Sequence, residues 1–227
     1  MHSVIVVLVL LQAAAAFVPA RPIMQMSRFH MSTEGASAEG AEGAELEVED
    51  IEEVKTIPTY LPSAKGIDYV PLATMLATGD FEAADQFTRD NLIKIGSPAG
   101  SGRPFVYWTE VKQIPNVDLC TMERLWLMFS DGNFGYSVQK RAWDVEKNDF
   151  DRTIARIGWT LDDGETIRKR KWFLKPNEFI YDVAKAPKGH LPLTSALRGT
   201  QLMKALMMHP VWEAYDWKNY KDLKWEP

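Results

Sequence analysis

Two segments of helical period stand end to end with a single glycine turn between them, and that spacing decides much of what this chain can become. In IDYVPLATMLATGD the apolar residues Val70, Leu72, Met75 and Leu76 recur at helical spacing, and Gly79 supplies a stop. Asp80 then offers an N-cap for FEAADQFTRDNLIKIG, in which Phe81, Ala84, Phe87 and Leu92 share one face and Gly96 ends the run. Two helices joined by so short a turn must pack antiparallel.

The rest of the chain continues in the same manner. The loop SPAGSGRP (97–104) breaks the pattern, and the short segment FVYWTEVKQIP is closed by Pro115. Asp118 or Thr121 can start the next helix, whose stripe is Met122, Leu125, Trp126 and Phe129. DGNFG reads as a turn, YSVQKRAWDVEK and FDRTIARIGW as two further helices, and TSALRGTQLMKALMMHP as a helix ended by Pro210. Residues 161–181 show no strong period. No run alternates with period two and β-branched enrichment, and no dinucleotide or phosphate-loop glycine pattern occurs, so the expected class is all-α.

Charge separates the fold from what precedes it. The net charge of −5 hides a block at 34–53 with nine acidic groups and no Lys or Arg, whereas from residue 54 onward 24 basic residues face 22 acidic ones. A like-charge block stays solvated, and a domain near neutrality lacks the basic excess of a nucleic-acid binder. Upstream, residues 4–16 form a 13-residue apolar run, short of the roughly 20 residues a spanning helix needs. It has the length and small-residue ending of a secretory signal peptide. The stretch from Phe17 to Thr33 carries Arg21 and Arg28 and no acid, the composition of an organelle transit peptide. The expected organisation is a signal peptide at 1–16, a transit peptide at 17–33, an acidic linker at 34–66, a helical domain at 67–212 and an aromatic-rich tail at 213–227. The junction AAAAFVP resembles the bipartite presequences of plastids bounded by extra membranes in algae with secondary red plastids, which implies import into the plastid stroma or to the thylakoid.

No catalytic set emerges. The single cysteine, Cys120, sits in the apolar context LCTMERLW, where a buried structural thiol is the expectation. In the domain only His190 and His209 remain, 19 residues apart and without a metal-binding partner pattern, so neither a protein-ligated metal nor metal catalysis is expected. His190 is expected to hydrogen-bond within GHLP. No serine lies in a nucleophile-elbow context, and Asp162–Asp163 before Gly164 reads as a turn. A binding function is the reading that remains. Of eight Trp, six (Trp108, Trp126, Trp143, Trp159, Trp172, Trp212) fall between residues 100 and 212. They serve either as a well-filled core or as a surface for a flat aromatic ligand.

Four segments in order, GDFEAAD, ERLWLMFSDGNFGYSVQKRAW, the IGW at 157–159 and APKGHLPLTSALRGTQL, together resemble the genomes-uncoupled-four family from about Asp68 to Trp212. The resemblance implies an all-helical domain shaped like a cupped hand, in which a loop between two helices and a second loop near the C-terminus form an apolar palm. It implies a non-enzymatic protein that takes protoporphyrin IX or Mg-protoporphyrin IX as ligand. It also implies a partner, the large porphyrin-binding subunit of magnesium chelatase, which the protein stimulates in chlorophyll biosynthesis, and a connection with plastid signalling.

A porphyrin is a flat apolar disc with two carboxylates on one edge, and it requires an aliphatic and aromatic floor with a cation or amide donor beside it. The first motif offers Phe134, Tyr136, Val138, Gln139 and Arg141 for this, and the second offers Leu191, Pro192, Leu193, Leu197 and Arg198. By helical spacing Val138 and Arg141 lie on one face, while Phe134 and Trp143 serve equally well as core. The second loop, LPLTSALRG, carries no aromatic, a departure from the family pattern. A reading of a different class has the same domain as a structural subunit attached to thylakoid photosystem or antenna proteins, with chlorophyll in or near the palm and peripheral membrane association.

Overall fold

The computed structural model describes residues 55–161, 169–170, 178–193 and 200–222. The antiparallel pair expected from the sequence opens the fold. Helix α1 spans Val70–Ala77 and α2 spans Phe81–Gly96, with Gly79 between them at φ 76°. The Asp80 carboxylate accepts the Ala83 N–H at 3.0 Å, the cap that its position implied. Phe81, Ala84 and Leu92 are buried, and Phe87 is half-buried.

Helix α3 (Asn116–Phe129) packs against α1 and starts directly after Pro115 rather than at Asp118 or Thr121. Both of these candidate caps sit inside the helix and serve contacts far away in sequence. The buried Asp118 carboxylate accepts the Ala64 N–H at 3.1 Å and the Tyr69 hydroxyl at 2.9 Å, and the Thr121 hydroxyl donates to the Pro62 carbonyl at 2.7 Å. The fold thus begins upstream of Asp68. Residues 61–66, assigned from sequence to the linker, lie along α3, and Leu61 and Ile67 pack against the core.

Helices α4 (Tyr136–Val145) and α5 (Phe150–Arg156) follow, the latter capped by Asp149, whose carboxylate accepts the Arg152 N–H. After them comes the only strand pair among the described residues, β1 (Thr160–Leu161) paired antiparallel with β2 (Lys169–Arg170). Two-residue strands are too short to show a period-two pattern, which is why the sequence gives no sign of them. Helix α6 (Thr200–Met207) ends before Pro210, and α7 (Val211–Ala214) and a 3-10 segment (Trp217–Asp222) close the chain. Trp217 is buried and Tyr220 packs on the core, so the first part of the expected tail belongs to the domain. No helix among the described residues is long and apolar enough to cross a membrane.

The core is aromatic at its centre. Trp126, Phe81 and Phe134 meet with ring centroids 5.6–6.3 Å apart, and the Trp126 indole N–H donates to the Thr88 hydroxyl at 3.0 Å. Edge-to-face and tilted pairs of this kind add about 0.5–1.5 kcal/mol each beyond the area they bury. Trp126, Trp143, Trp159, Trp212 and Trp217 are all buried, whereas Trp108 is 52% exposed. The described tryptophans therefore form core with one exception, while Trp172 and Trp225 lie outside the described residues.

Candidate functional site

The two motifs that carry the expected palm meet in the structure, but they meet inside it. Residues 189–193 run as a strap across the start of α4. Gly189 N–H donates to Asn133 O at 2.8 Å, and Gly135 N–H donates to Leu191 O at 2.9 Å. The Gln139 amide spans the strap, its Nε2 donating to Gly189 O at 3.0 Å and to Pro192 O at 2.7 Å. His190 is fully buried. Its Nε2 accepts the Ile180 N–H at 3.0 Å, which leaves Nδ1 to carry the proton donated to Ile157 O at 2.7 Å. Both partners lie outside GHLP, in contrast to the bond expected from the sequence. The Trp159 indole N–H donates to His190 O at 2.8 Å.

Two buried carboxylates complete this framework. Asp85 on α2 accepts the Leu193 N–H at 2.6 Å and the Arg89 Nε–H at 2.9 Å. Burial pushes its carboxyl up to about 6 against the opposing pull of Arg89. Glu123 on α3 accepts the N–H groups of Tyr136 and Ser137 at 2.6 and 2.9 Å, taking the place of a local N-cap for α4. Burial outweighs these donors and pushes its carboxyl up to about 7. The chain turns beneath this carboxylate at Gly135, φ 135°, where an added Cβ would lie 2.5 Å from Glu123 Oε1.

Phe134, Tyr136, Gln139, Leu191 and Leu193 are consequently at 0% exposure, Val138 and Pro192 are buried, and Arg141 alone of the described candidates reaches a surface. Arg141 opens onto a groove on the far side of α4, away from the strap. Leu197 and Arg198 lie outside the described residues.

The exposed aromatic face is elsewhere, in the loop between α2 and α3. Tyr107 and Trp108 are 51% and 52% exposed. Tyr107 is held there by a small polar frame. Arg103 pairs with Glu110 at 2.7 Å and lies over the Tyr107 ring at 4.6 Å, and the second Glu110 oxygen accepts the Tyr107 N–H at 3.0 Å. The Arg103 guanidinium holds the Glu110 carboxyl below the usual carboxylate range. The next residues form a 3-10 turn (Val111–Gln113) that packs on α6. The loop between two helices and the helix after the second loop are thus neighbours. Sequence reasoning gave Tyr107 no role and counted Trp108 only among the six tryptophans read as either core or a surface for a flat ligand. The available signal was a pair of adjacent large aromatics in a segment bounded by Pro104 and Pro115, too short to bury both.

Among the described residues no group of three or more His, Cys, Asp or Glu is placed to hold a metal ion. Cys120 is half-buried, and burial pushes its thiol up to about 12, which makes it a poor nucleophile.

Comparison with known proteins gives a consistent result. The pattern of the GUN4-like family matches residues 62–210. A Ycf53-like protein of Synechocystis is 43% identical over 157 residues, covering 69% of this chain and 64% of that protein. The chloroplastic tetrapyrrole-binding protein of Arabidopsis thaliana is 41% identical over 147 residues, covering 64% of this chain and 55% of that one. The matches thus span less than two thirds of the length of these relatives. The structure of GUN4 from Chlamydomonas reinhardtii superposes with a TM-score of 0.59 at 44% identity over 68% of this chain and 93% of that one. The ligand-free Arabidopsis GUN4 structure gives 0.56 at 38% identity over 66% and 99%.

Proposed function

This chain belongs to the GUN4-like family, and from that premise we propose that it is a plastid tetrapyrrole-binding protein whose palm is framed by the 103–113 loop and α6. The observation that carries the reading is the exposed pair Tyr107 and Trp108, with the Arg103 cation over the Tyr107 ring and the turn that follows, Val111–Gln113, packed on α6. A flat conjugated disc stacks on such a pair, and a cation at its edge suits a propionate. Leu197 and Arg198, in the segment leading into α6, are the contacts proposed for the opposite side. In this reading Phe134, Tyr136, Val138, Gln139, Leu191, Pro192 and Leu193 act from behind, by fixing the strap that leads to that segment.

The ligand proposed is protoporphyrin IX or its magnesium complex. The proposed role is non-enzymatic activation of magnesium chelatase through its large subunit, with a contribution to plastid signalling. The motivation for the non-catalytic role is the poor Cys120 nucleophile together with a His190 whose two ring nitrogens are both engaged by backbone. Titration of the full chain with protoporphyrin IX, read by tryptophan quenching, is expected to saturate at one equivalent, and a flat response would sink the proposal. Magnesium insertion measured with chelatase subunits is expected to rise on adding the chain. Turnover by the chain alone would overturn the non-enzymatic part.

A further inference from the structure

The groove to which Arg141 opens is bounded by α4 on one side and by residues 212–218 on the other, and holds about 450 Å³. That lies within the roughly 300–1,000 Å³ of small-molecule sites. Its aromatic wall is a packed set: Trp212 and Trp217 have ring centroids 5.9 Å apart, and Tyr215 meets Trp217 at 5.5 Å. The polar handles of both indoles are occupied within the fold, Trp212 N–H on Leu206 O at 2.6 Å and Trp217 N–H on Val211 O at 3.1 Å. What this wall offers a visitor is therefore ring surface, most of it from Tyr215, which is 49% exposed.

The charges of the groove are unequally engaged. Lys140 is held by both oxygens of Asp144 at 2.6 and 2.8 Å. The Asp216 carboxylate accepts the Lys218 N–H at 3.2 Å and the Asn219 amide at 2.8 Å. Arg141, half-buried, forms no hydrogen bond or ion pair with any described residue. The buried carboxylate that feels its field, Glu123, is already committed to two backbone N–H groups. Lys218 and Glu213 lie at the exposed rim. The three cations and three carboxylates of the lining balance, and among them Arg141 is the half-buried cation whose head none of the others engages, a forked donor beside an aromatic wall that complements a single planar carboxylate.

We propose that this groove is a binding site, separate from the palm, for a compact aromatic carboxylate: the carboxylate on Arg141 and the ring against Tyr215 and Trp217. The inference does not depend on tetrapyrrole binding, because none of its residues lies in the 103–113 loop or in α6.

The test uses the full chain and 2-naphthoate as probe, with 2-naphthamide as the uncharged control, titrated by calorimetry. The native chain is expected to bind naphthoate saturably and at least fivefold more tightly than the amide. Arg141→Gln is expected to abolish that preference, and Tyr215→Ala to weaken both probes. Circular dichroism establishes that each variant is folded, and either variant alone suffices if the other is not. Absence of saturable binding, equal affinity for acid and amide, or binding untouched by the folded variants would overturn the site.

Discussion

The strap at 189–193 and the loop at 103–110 are both apolar segments of irregular backbone, and their side chains end in opposite places. The strap is bound on every side, to α2 through Asp85, to α4 through Gln139, and to residues 157 and 180 through His190. The loop is tied to the end of α2 by the Ser97 hydroxyl, which donates to Phe105 O at 3.2 Å, is braced at its tip by Arg103, Glu110 and the Tyr107 N–H, and turns Tyr107 and Trp108 outward. A motif that is easy to recognise in sequence is here the scaffold, and a segment with no recognisable motif presents the surface. Polar satisfaction marks the difference, since every strap carbonyl held by a buried donor is unavailable to a ligand.

If this contrast is real, the two regions must respond to mutation in opposite ways. The largest effect is expected at His190→Ala, which leaves a cavity and strands the Ile157 carbonyl and Ile180 N–H. Urea denaturation should show a loss of about 2–4 kcal/mol, and a loss below about 1 kcal/mol would mean the strap is not an anchor.

The second effect is in pH. The carboxyls of Glu123 and Asp85 are raised in the folded state by burial to about 7 and about 6, above their ordinary values of 4.5 and 3.8. The folded protein therefore holds their protons more tightly than the unfolded chain. The stability these groups contribute is complete below the unfolded values and is lost as pH rises through the folded ones. Thermal midpoints of the native chain should fall from pH 5 to pH 7.5, by an amount on the order of 1–3 kcal/mol in stability. In Glu123→Gln, whatever its baseline, that slope should be markedly flatter, and an unchanged slope would assign the titration elsewhere.

Trp108→Ala is expected to leave stability within about 0.5 kcal/mol of the native value, as for an exposed side chain. Protoporphyrin affinity should fall by about fivefold, a stacking contribution of about 1 kcal/mol. A protein that loses stability but not affinity would reverse the assignment of the two regions. The smallest effect is expected from Arg103→Gln, seen as faster amide exchange at Tyr107 with little change in the thermal midpoint. Unaltered exchange would show that the frame does not depend on the ion pair.

Much of the helical architecture was legible because local chemistry and tertiary need agreed. Asp80 caps α2 through its own third neighbour, and Gly79 turns the chain where the apolar period stops. The start of α3 was not legible. Asp118 has the chemistry of a cap, but its carboxylate is claimed by Tyr69 and Ala64, about fifty residues away, and no local pattern reports such a demand. The same limit applied to the site. Leu191 and Leu193 read identically whether they face a ligand or a core, and it is their complete burial, in a strap tied to Asp85 across 108 residues, that shows which. Tyr107 and Trp108 escaped because their exposure follows from how far the short loop reaches, not from their composition.

Gly135 shows what the strap means for a library of random variants. Its Cα faces a carboxylate at a distance that excludes any side chain, its φ of 135° suits glycine alone, and its N–H is committed to Leu191. A saturation screen at this position should recover glycine only. Second-site suppressors that shorten Glu123 should fail to rescue Gly135→Ala, because enlarging the space leaves the backbone angle unsolved.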